Sequence, residues 1–340
     1  MEREFNRKHT SVQAKNLFSI VWDFCDKELL YESRVHPLST FSSSQNKVFM
    51  KREDESSFGI SGYKKRKYAS LLPFLQNQQV EETLVIGTAF SNHVCGILQL
   101  LIENHLPYSL WLKEAHQLMP KGNWFLTQLL SQSDQIKWIP SKKWETVTEG
   151  AQAYASKAAH RVFILPEGGS VRESVAGAAT LCLDLLRNEQ QLEVDMDHIF
   201  MDAGTGFTAA CTAYMLGYLE RKVQCHLVKI GDPKEDYQPM FSKVAGWMEE
   251  LIGVPPKLPP IHWYQPMTAK SFGQVNQGLS LFIKEFAQQE GVLTDPIYSA
   301  KLCMTAKHII HGQKLEGNIL IIHSGGGVGL LGHAERIKIS

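Results

Sequence analysis

Short apolar runs and longer amphipathic stretches alternate along most of this chain. From residue 83 onward, runs over 84–87, 108–112, 136–139 and 162–165 have the length and composition of strands. Between them, 93–104 and 144–159 carry apolar residues at helical spacing. A second series follows Pro166, with strands expected over 198–201, 223–230 and 318–322, and helices over 208–219, 241–251, 275–289 and 298–311. Neighbouring parallel strands need a crossover, usually a helix, so the alternation predicts an α/β fold with a mainly parallel sheet. Upstream, Leu17, Ile20, Val21 and Phe24 give 12–30 a helical period, and 48–50 reads as a strand running into Lys51-Arg52-Glu53-Asp54. The proline-dense segment 253–260 is expected as a rigid surface connection, because proline removes ladder donors. The chain shows no internal repeat and no low-complexity tract.

Composition narrows the class. At 340 residues, with 44% hydrophobic and 21% charged residues, the chain can bury a large core and divide into two lobes. Lys+Arg and Asp+Glu both total 35, so the formal net charge is zero, which argues against a nucleic-acid or anionic-membrane partner. The six cysteines are scattered, without a CxxC pair or zinc spacing, and no metal site is expected. The polar N-terminus is not a signal peptide and no apolar run spans a bilayer, so a reducing cytoplasm is the expected location.

Candidate chemistry gathers in a few short segments. Ser61-Gly62-Tyr63-Lys64-Lys65-Arg66-Lys67 offers three lysines, although a solvated basic helix start would look the same. Ser91-Asn92-His93 follows the strand at 84–87, where the serine or asparagine can be an N-cap or can hold a carboxylate. Gly204-Thr205-Gly206-Phe207-Thr208 follows a strand and opens a helix, aiming free backbone N–H groups at an anion; it lacks both the dinucleotide and the P-loop spacing. Thr294 to Ser299 carries a tyrosine-serine pair, and Gly325-Gly326-Gly327 is a second glycine turn after a strand. A lysine, a polar turn, a phosphate-sized glycine loop and a tyrosine-serine pair, in that order, point to covalently held pyridoxal phosphate.

In these segments, together with Lys51 to Asp54, Pro166 to Ser170 and His323 to Gly326, the chain resembles the fold-type II pyridoxal phosphate enzymes that include 1-aminocyclopropane-1-carboxylate deaminase and D-cysteine desulfhydrase. The resemblance covers about residues 51–327. It implies a two-lobed, three-layer α/β fold like that of the tryptophan synthase β-subunit, with 62–183 as a small domain and 1–61 plus 184–340 as a large cofactor-binding one. It implies Lys64 as the Schiff-base lysine, Asn92 against the cofactor ring, and Gly204, Thr205, Gly206 and Thr208 around the phosphate. Ser91, Asn92, His93 and Ser324 would meet a small amino-acid substrate, and Tyr298 would face the lysine–cofactor bond. Lys64, Ser91 and Tyr298 are the expected catalytic residues, and a homodimer is the implied assembly.

Two hydroxyls choose a branch. The deaminases resemble one another in a glutamate after the tyrosine and a leucine after the histidine, whereas this chain has Ser299 and Ser324. Ser299, the expected ring-nitrogen partner, brings no compensating charge of its own. That favours D-cysteine desulfhydrase-like β-elimination to pyruvate, ammonia and sulfide over cyclopropane deamination. Tyr63, Lys65, Phe90 and Phe272 depart from the pattern of the family, which keeps a pyridoxal phosphate-binding pseudoenzyme as a further alternative.

Overall fold

A computed structural model describes residues 11–56, 62–115, 118–231 and 234–337. Ser61 lies outside them. The chain opens with α1 (Val12–Phe24), β1 (Val35–Pro37), β2 (Asn46–Arg52) and α2 (Tyr63–Asn77). Next come β3 (Glu82–Thr88), α3 (Asn92–Glu103), β4 (Tyr108–Lys113), α4 (Gly122–Leu130), β5 (Ile136–Ile139), α5 (Val147–Ala155) and β6 (Val162–Leu165). The remainder is α6 (Val175–Leu192), β7 (His198–Ala203), α7 (Phe207–Tyr218), β8 (Gln224–Lys229), α8 (Gln238–Ile252), β9 (Ile261–Tyr264), α9 (Gln277–Glu290), α10 (Ser299–Gly312), β10 (Gly317–His323) and α11 (Gly327–Gly332).

Two sheets result, a four-stranded one in the order β5-β4-β3-β6 and a six-stranded one in the order β1-β2-β10-β7-β8-β9. Every pairing is parallel except β1 with β2. Strand alternation sends successive side chains to opposite faces. On β10, Leu320 and Ile322 join a core with α1, α6, α7 and α8, while Ile319 and Ile321 join another with α9 and α10. The smaller sheet divides the same way: Val85, Leu110 and Leu165 pack under α2 and α3, and Leu84, Ile86 and Trp111 pack under α5. Both sheets are therefore the middle of three layers. The smaller sheet lies wholly within 62–183, but residue 183 itself falls inside the unbroken helix α6.

Three expectations need correction. The helix expected over 12–30 ends at Phe24, because Cys25 is extended and the Asp26 N–H donates to Ala69 O of α2 at 2.7 Å. The helix expected over 144–159 is confined to α5, preceded by a 3-10 turn over Ser141–Lys143. The basic segment after Gly62 is not a solvated face: Arg66 and Lys67 are buried in the first turns of α2.

Candidate active site at the strand ends

In parallel sheets the loops after the strands collect at one edge, outside the carboxyl ends, where ligands bind. Here the turns after β3, β6, β7 and β10 meet the start of α2. Gly62 has a φ of 69°, and a Cβ there would sit 1.7 Å from Ser324 O, so only glycine lets α2 begin against the 324–325 backbone. A Cβ on Gly168 would lie 2.8 Å from Thr205 Cγ2, and one on Gly204 would lie 3.2 Å from Tyr298 Cε1. A Cβ on Gly326 would lie 3.0 Å from Asp295 Oδ2 and 3.5 Å from Asn92 Nδ2. Segments far apart in sequence thus share one recess between the lobes.

Two lysines on the first turn of α2 enter it. Burial lowers the Lys64 amine from its ordinary pKa, while Asp202 and Asp295 pull it back. Lys67 donates to Gly168 O at 3.0 Å and lies 4.6 Å from the centre of the Phe207 ring. Desolvation, then Lys64, brings its pKa down to about 7. Phe207 opens α7, whose N-cap Gly206 is left-handed (φ 80°) and supplies no capping side chain. Ser170 and Thr205 hydroxyls lie 3.0 Å apart beside this turn. A buried amine facing an uncapped helix N-terminus suits an anion, since both prefer negative charge. The residues present fit the phosphate of pyridoxal phosphate, with Lys64 in reach as the amine.

The hydroxyls and amides are ordered by their neighbours. Ser91 Oγ caps α3, accepting the N–H groups of His93 at 3.1 Å and Val94 at 3.4 Å. Asn92 Oδ1 accepts from Asn123 Nδ2 at 2.6 Å, which leaves its own amide donors toward Gly326. His93 is buried, with Nδ1 2.9 Å from the Tyr68 hydroxyl and Nε2 without a partner. Desolvation, then Lys67 and Lys64, holds its pKa well below the usual range, so the ring is neutral. Tyr298 is half-buried under the ring of Phe272, whose centre is 6.1 Å away and which is itself 57% exposed. Burial, then Asp295 and Asp202, pushes the Tyr298 phenol up, so it is protonated at neutral pH.

Ser299 does not stand open toward the recess. Its hydroxyl donates to Asp295 Oδ2 at 2.8 Å and accepts the Asp295 N–H at 2.9 Å. Asp295 also accepts the N–H groups of Ile297, Tyr298 and Ser299, which builds the turn into α10. A second buried carboxyl, Asp202, lies beside Ser324 and 3.4 Å from the Tyr63 hydroxyl, and burial raises its pKa. Sequence reasoning passed over Asp202, Asp295 and Asn123 and did not choose Lys67. One signal was present: Asp202 interrupts the apolar run of β7 two residues before Gly204.

Among the described residues, no group of His, Cys, Asp and Glu is disposed to hold a metal, and no helix is long and apolar enough to cross a membrane.

The fold places the chain in a structural class, a two-lobed α/β architecture shared with solved structures such as an O-ureido-L-serine synthase, TM-score 0.64 at 12% identity over 91% of each chain. A solved 1-aminocyclopropane-1-carboxylate deaminase homologue superposes with a TM-score of 0.81 at 22% identity, covering 95% of this chain and 98% of its own. Within the class, the chain is related to proteins carrying the two names reached from its motifs. It is 23% identical to a provisionally named 1-aminocyclopropane-1-carboxylate deaminase of Pyrococcus horikoshii, over 94% of this chain and 98% of that one. It is also 23% identical to the D-cysteine desulfhydrase of Serratia proteamaculans, over 85% and 89%. No protein-family model matches the chain.

Proposed function

We propose that this protein is a pyridoxal phosphate-dependent lyase that removes ammonia and a β-substituent from a small amino acid, in the manner of D-cysteine desulfhydrase. The observation that carries the reading is the pairing of two α2 amines with the uncapped α7 N-terminus in one recess. Lys67, Thr205, Thr208 and the first N–H groups of α7 would hold the phosphate, and Lys64 would hold the aldehyde carbon. When bound, the cofactor supplies an electron sink for a carbanion at Cα of the amino acid.

The remaining work falls to this chain's own side chains. Lys64, released from the cofactor, is the base for the Cα proton, and its lowered pKa keeps part of it neutral. Tyr298, held protonated, donates to the departing β-substituent. Asn92 and the half-buried Ser91 lie where a substrate carboxylate can meet amide and hydroxyl donors. The reading includes a homodimeric assembly and a cytoplasmic location, both resting on the resemblance and the cysteine usage of the sequence.

Purified protein with pyridoxal phosphate is expected to show a visible cofactor band, and to release sulfide and pyruvate from D-cysteine. Lys64→Ala should abolish both the covalent band and turnover; normal turnover in that variant would overturn the scheme. A second reading, cyclopropane deamination, is favoured by the Asp295 carboxyl that the Ser299 hydroxyl meets at 2.8 Å, an acidic partner that a serine alone lacks. Release of 2-oxobutanoate from 1-aminocyclopropane-1-carboxylate, with no sulfide from D-cysteine, would select it.

A further inference from the structure

Phe272 is 57% exposed and stands edge-on to Tyr298, with ring centres 6.1 Å apart at 73°. Tyr298 in turn borders the anion turn, since a Cβ on Gly204 would lie 3.2 Å from its Cε1. Phe272 is therefore one ring removed from the 204–208 turn, and more exposed than the phenol it covers.

The segment that carries Phe272 is firmly anchored. The Met267 N–H donates to Thr305 Oγ1 at 3.0 Å, and Lys301 Nζ donates to Ser271 O at 3.0 Å; both partners lie on α10. Arg336 Nη2 donates to Gly273 O at 2.8 Å. Within the turn, the Gln274 N–H donates to Ser271 O at 3.1 Å, and Gln274 Oε1 accepts the Ser271 N–H at 3.3 Å. The carbonyls on either side of Phe272 thus each hold a cationic side chain. Lys301 is 1% exposed and lies three residues after Tyr298, so the helix that Tyr298 opens also sets the place of Phe272. A single exposed aromatic on an open surface is ordinary. This one is pinned beside the phenol that meets the departing group in the reading above. A phenylalanine ring makes no ordinary hydrogen bond and offers only apolar area, so what covers it is apolar.

We propose that Phe272 is a specificity-determining residue, an apolar wall for the outer part of the β-substituent, and that the substrates are cysteine thioethers with an alkyl or aryl tail. The inference rests on the lyase reading above. The bond that breaks is Cβ–S; its electron pair stays on sulfur, which takes the Tyr298 proton and leaves as a thiol. The Cα proton goes to Lys64, and one water completes the conversion of the remaining three-carbon fragment to pyruvate and ammonia. No oxidant or reductant is needed. A bare thiol group would leave the Phe272 ring uncovered, whereas a thioether tail takes it out of water.

S-benzylcysteine and cysteine, each as both enantiomers, are compared on the protein loaded with pyridoxal phosphate. Pyruvate is the common product, so one assay reads every substrate. The wild type is expected to favour the thioether by roughly tenfold or more in kcat/KM, the scale on which an apolar contact discriminates. Phe272→Ser should lose that preference, chiefly through a raised KM for the thioether, and Phe272→Leu should keep most of it. The exposure of the side chain makes both substitutions tolerable to the fold. A wild type that favours cysteine, or a preference unchanged in Phe272→Ser, overturns the proposal while the lyase reading stands. A visible cofactor band without pyruvate from any of the substrates overturns the lyase reading and the thioether class together.

Discussion

At the scale of the residue, the unusual group is Lys67. It is 4% exposed, its hydrogen-bond partner is a neutral carbonyl, and the strongest charge acting on it is another amine. Burial outweighs the pull of Asp202 and disfavours the ammonium, hence a pKa near 7 in place of 10.5. In the anion-free protein, between those two values, the unfolded chain binds the proton and the folded chain does not. Stability therefore rises with pH across that window, by roughly 1.4 kcal/mol per pH unit from this group alone. Urea unfolding at pH 7, 8 and 9 should show that slope reduced in Lys67→Met relative to wild type. Saturating inorganic phosphate should reduce the wild-type slope too, because an anion restores the charged form. An identical slope in wild type and variant would show that Lys67 is not desolvated. The segments holding Lys64, Asn92, the 204–208 turn and Tyr298 were legible as turns at strand and helix ends, and their proposed roles came from the family resemblance. Asp202 and Asp295 were not, since what they do depends on partners such as Tyr63, 139 residues away from Asp202.

At the scale of the element, α2 carries both lysines, and a buried ion cluster sets its position. Arg66 pairs through Nε and Nη2 with both oxygens of Glu53 at 2.6 and 2.7 Å, and through Nη2 with Asp184 Oδ2 at 2.6 Å. Lys51 reaches the same Asp184 oxygen at 2.6 Å, so β2, α2 and α6 are tied at one point. Removing one partner of such a cluster leaves an uncompensated buried charge, which costs about 3–5 kcal/mol. Arg66→Met should lower stability by about that amount and weaken cofactor binding, because Lys64 is two residues away on the same turn. Glu55→Gln, which breaks a pair with the 54%-exposed side chain of Arg34, should cost about 1 kcal/mol or less. Equal losses in denaturant midpoints would contradict this ranking. Most strands were readable because apolar runs bounded by turns leave little choice, and β5 and β6 match the expected 136–139 and 162–165. Helix α6 was missed, although it is 18 residues long, because its polar side, Thr180, Asp184, Arg187 and Asn188, is buried as well, against partners distant in sequence. Its contact with α2 depends on Gly177, where a Cβ would lie 2.1 Å from Arg66 O. No local pattern announces such a crossing.

At the scale of the molecule, the site is made by two lobes that contribute unlike groups. The large sheet provides the anion end through β7 and α7, with Asp202 and Ser324 beside it. The smaller sheet provides Ser91 and Asn92 at the head of α3, held from the side by Asn123 of α4. Lys64 and Lys67 stand between them on α2, which packs on α6 and also joins the core of the smaller lobe. A ligand touching only the anion end should therefore order one lobe, and a ligand spanning the recess should order both. Inorganic phosphate is expected to slow amide exchange in 204–210 alone. Pyridoxal phosphate is expected to slow it in 204–210 and in 92–95 together, and at a hundredfold excess over its dissociation constant to add about 2.7 kcal/mol of stability. Asn123→Ala should separate the two responses: it frees the Asn92 amide, so cofactor protection of 92–95 falls while that of 204–210 persists. If pyridoxal phosphate instead left 92–95 unchanged in the wild type, the small lobe would have no part in holding the cofactor, and Asn92 would be reassigned to the substrate alone.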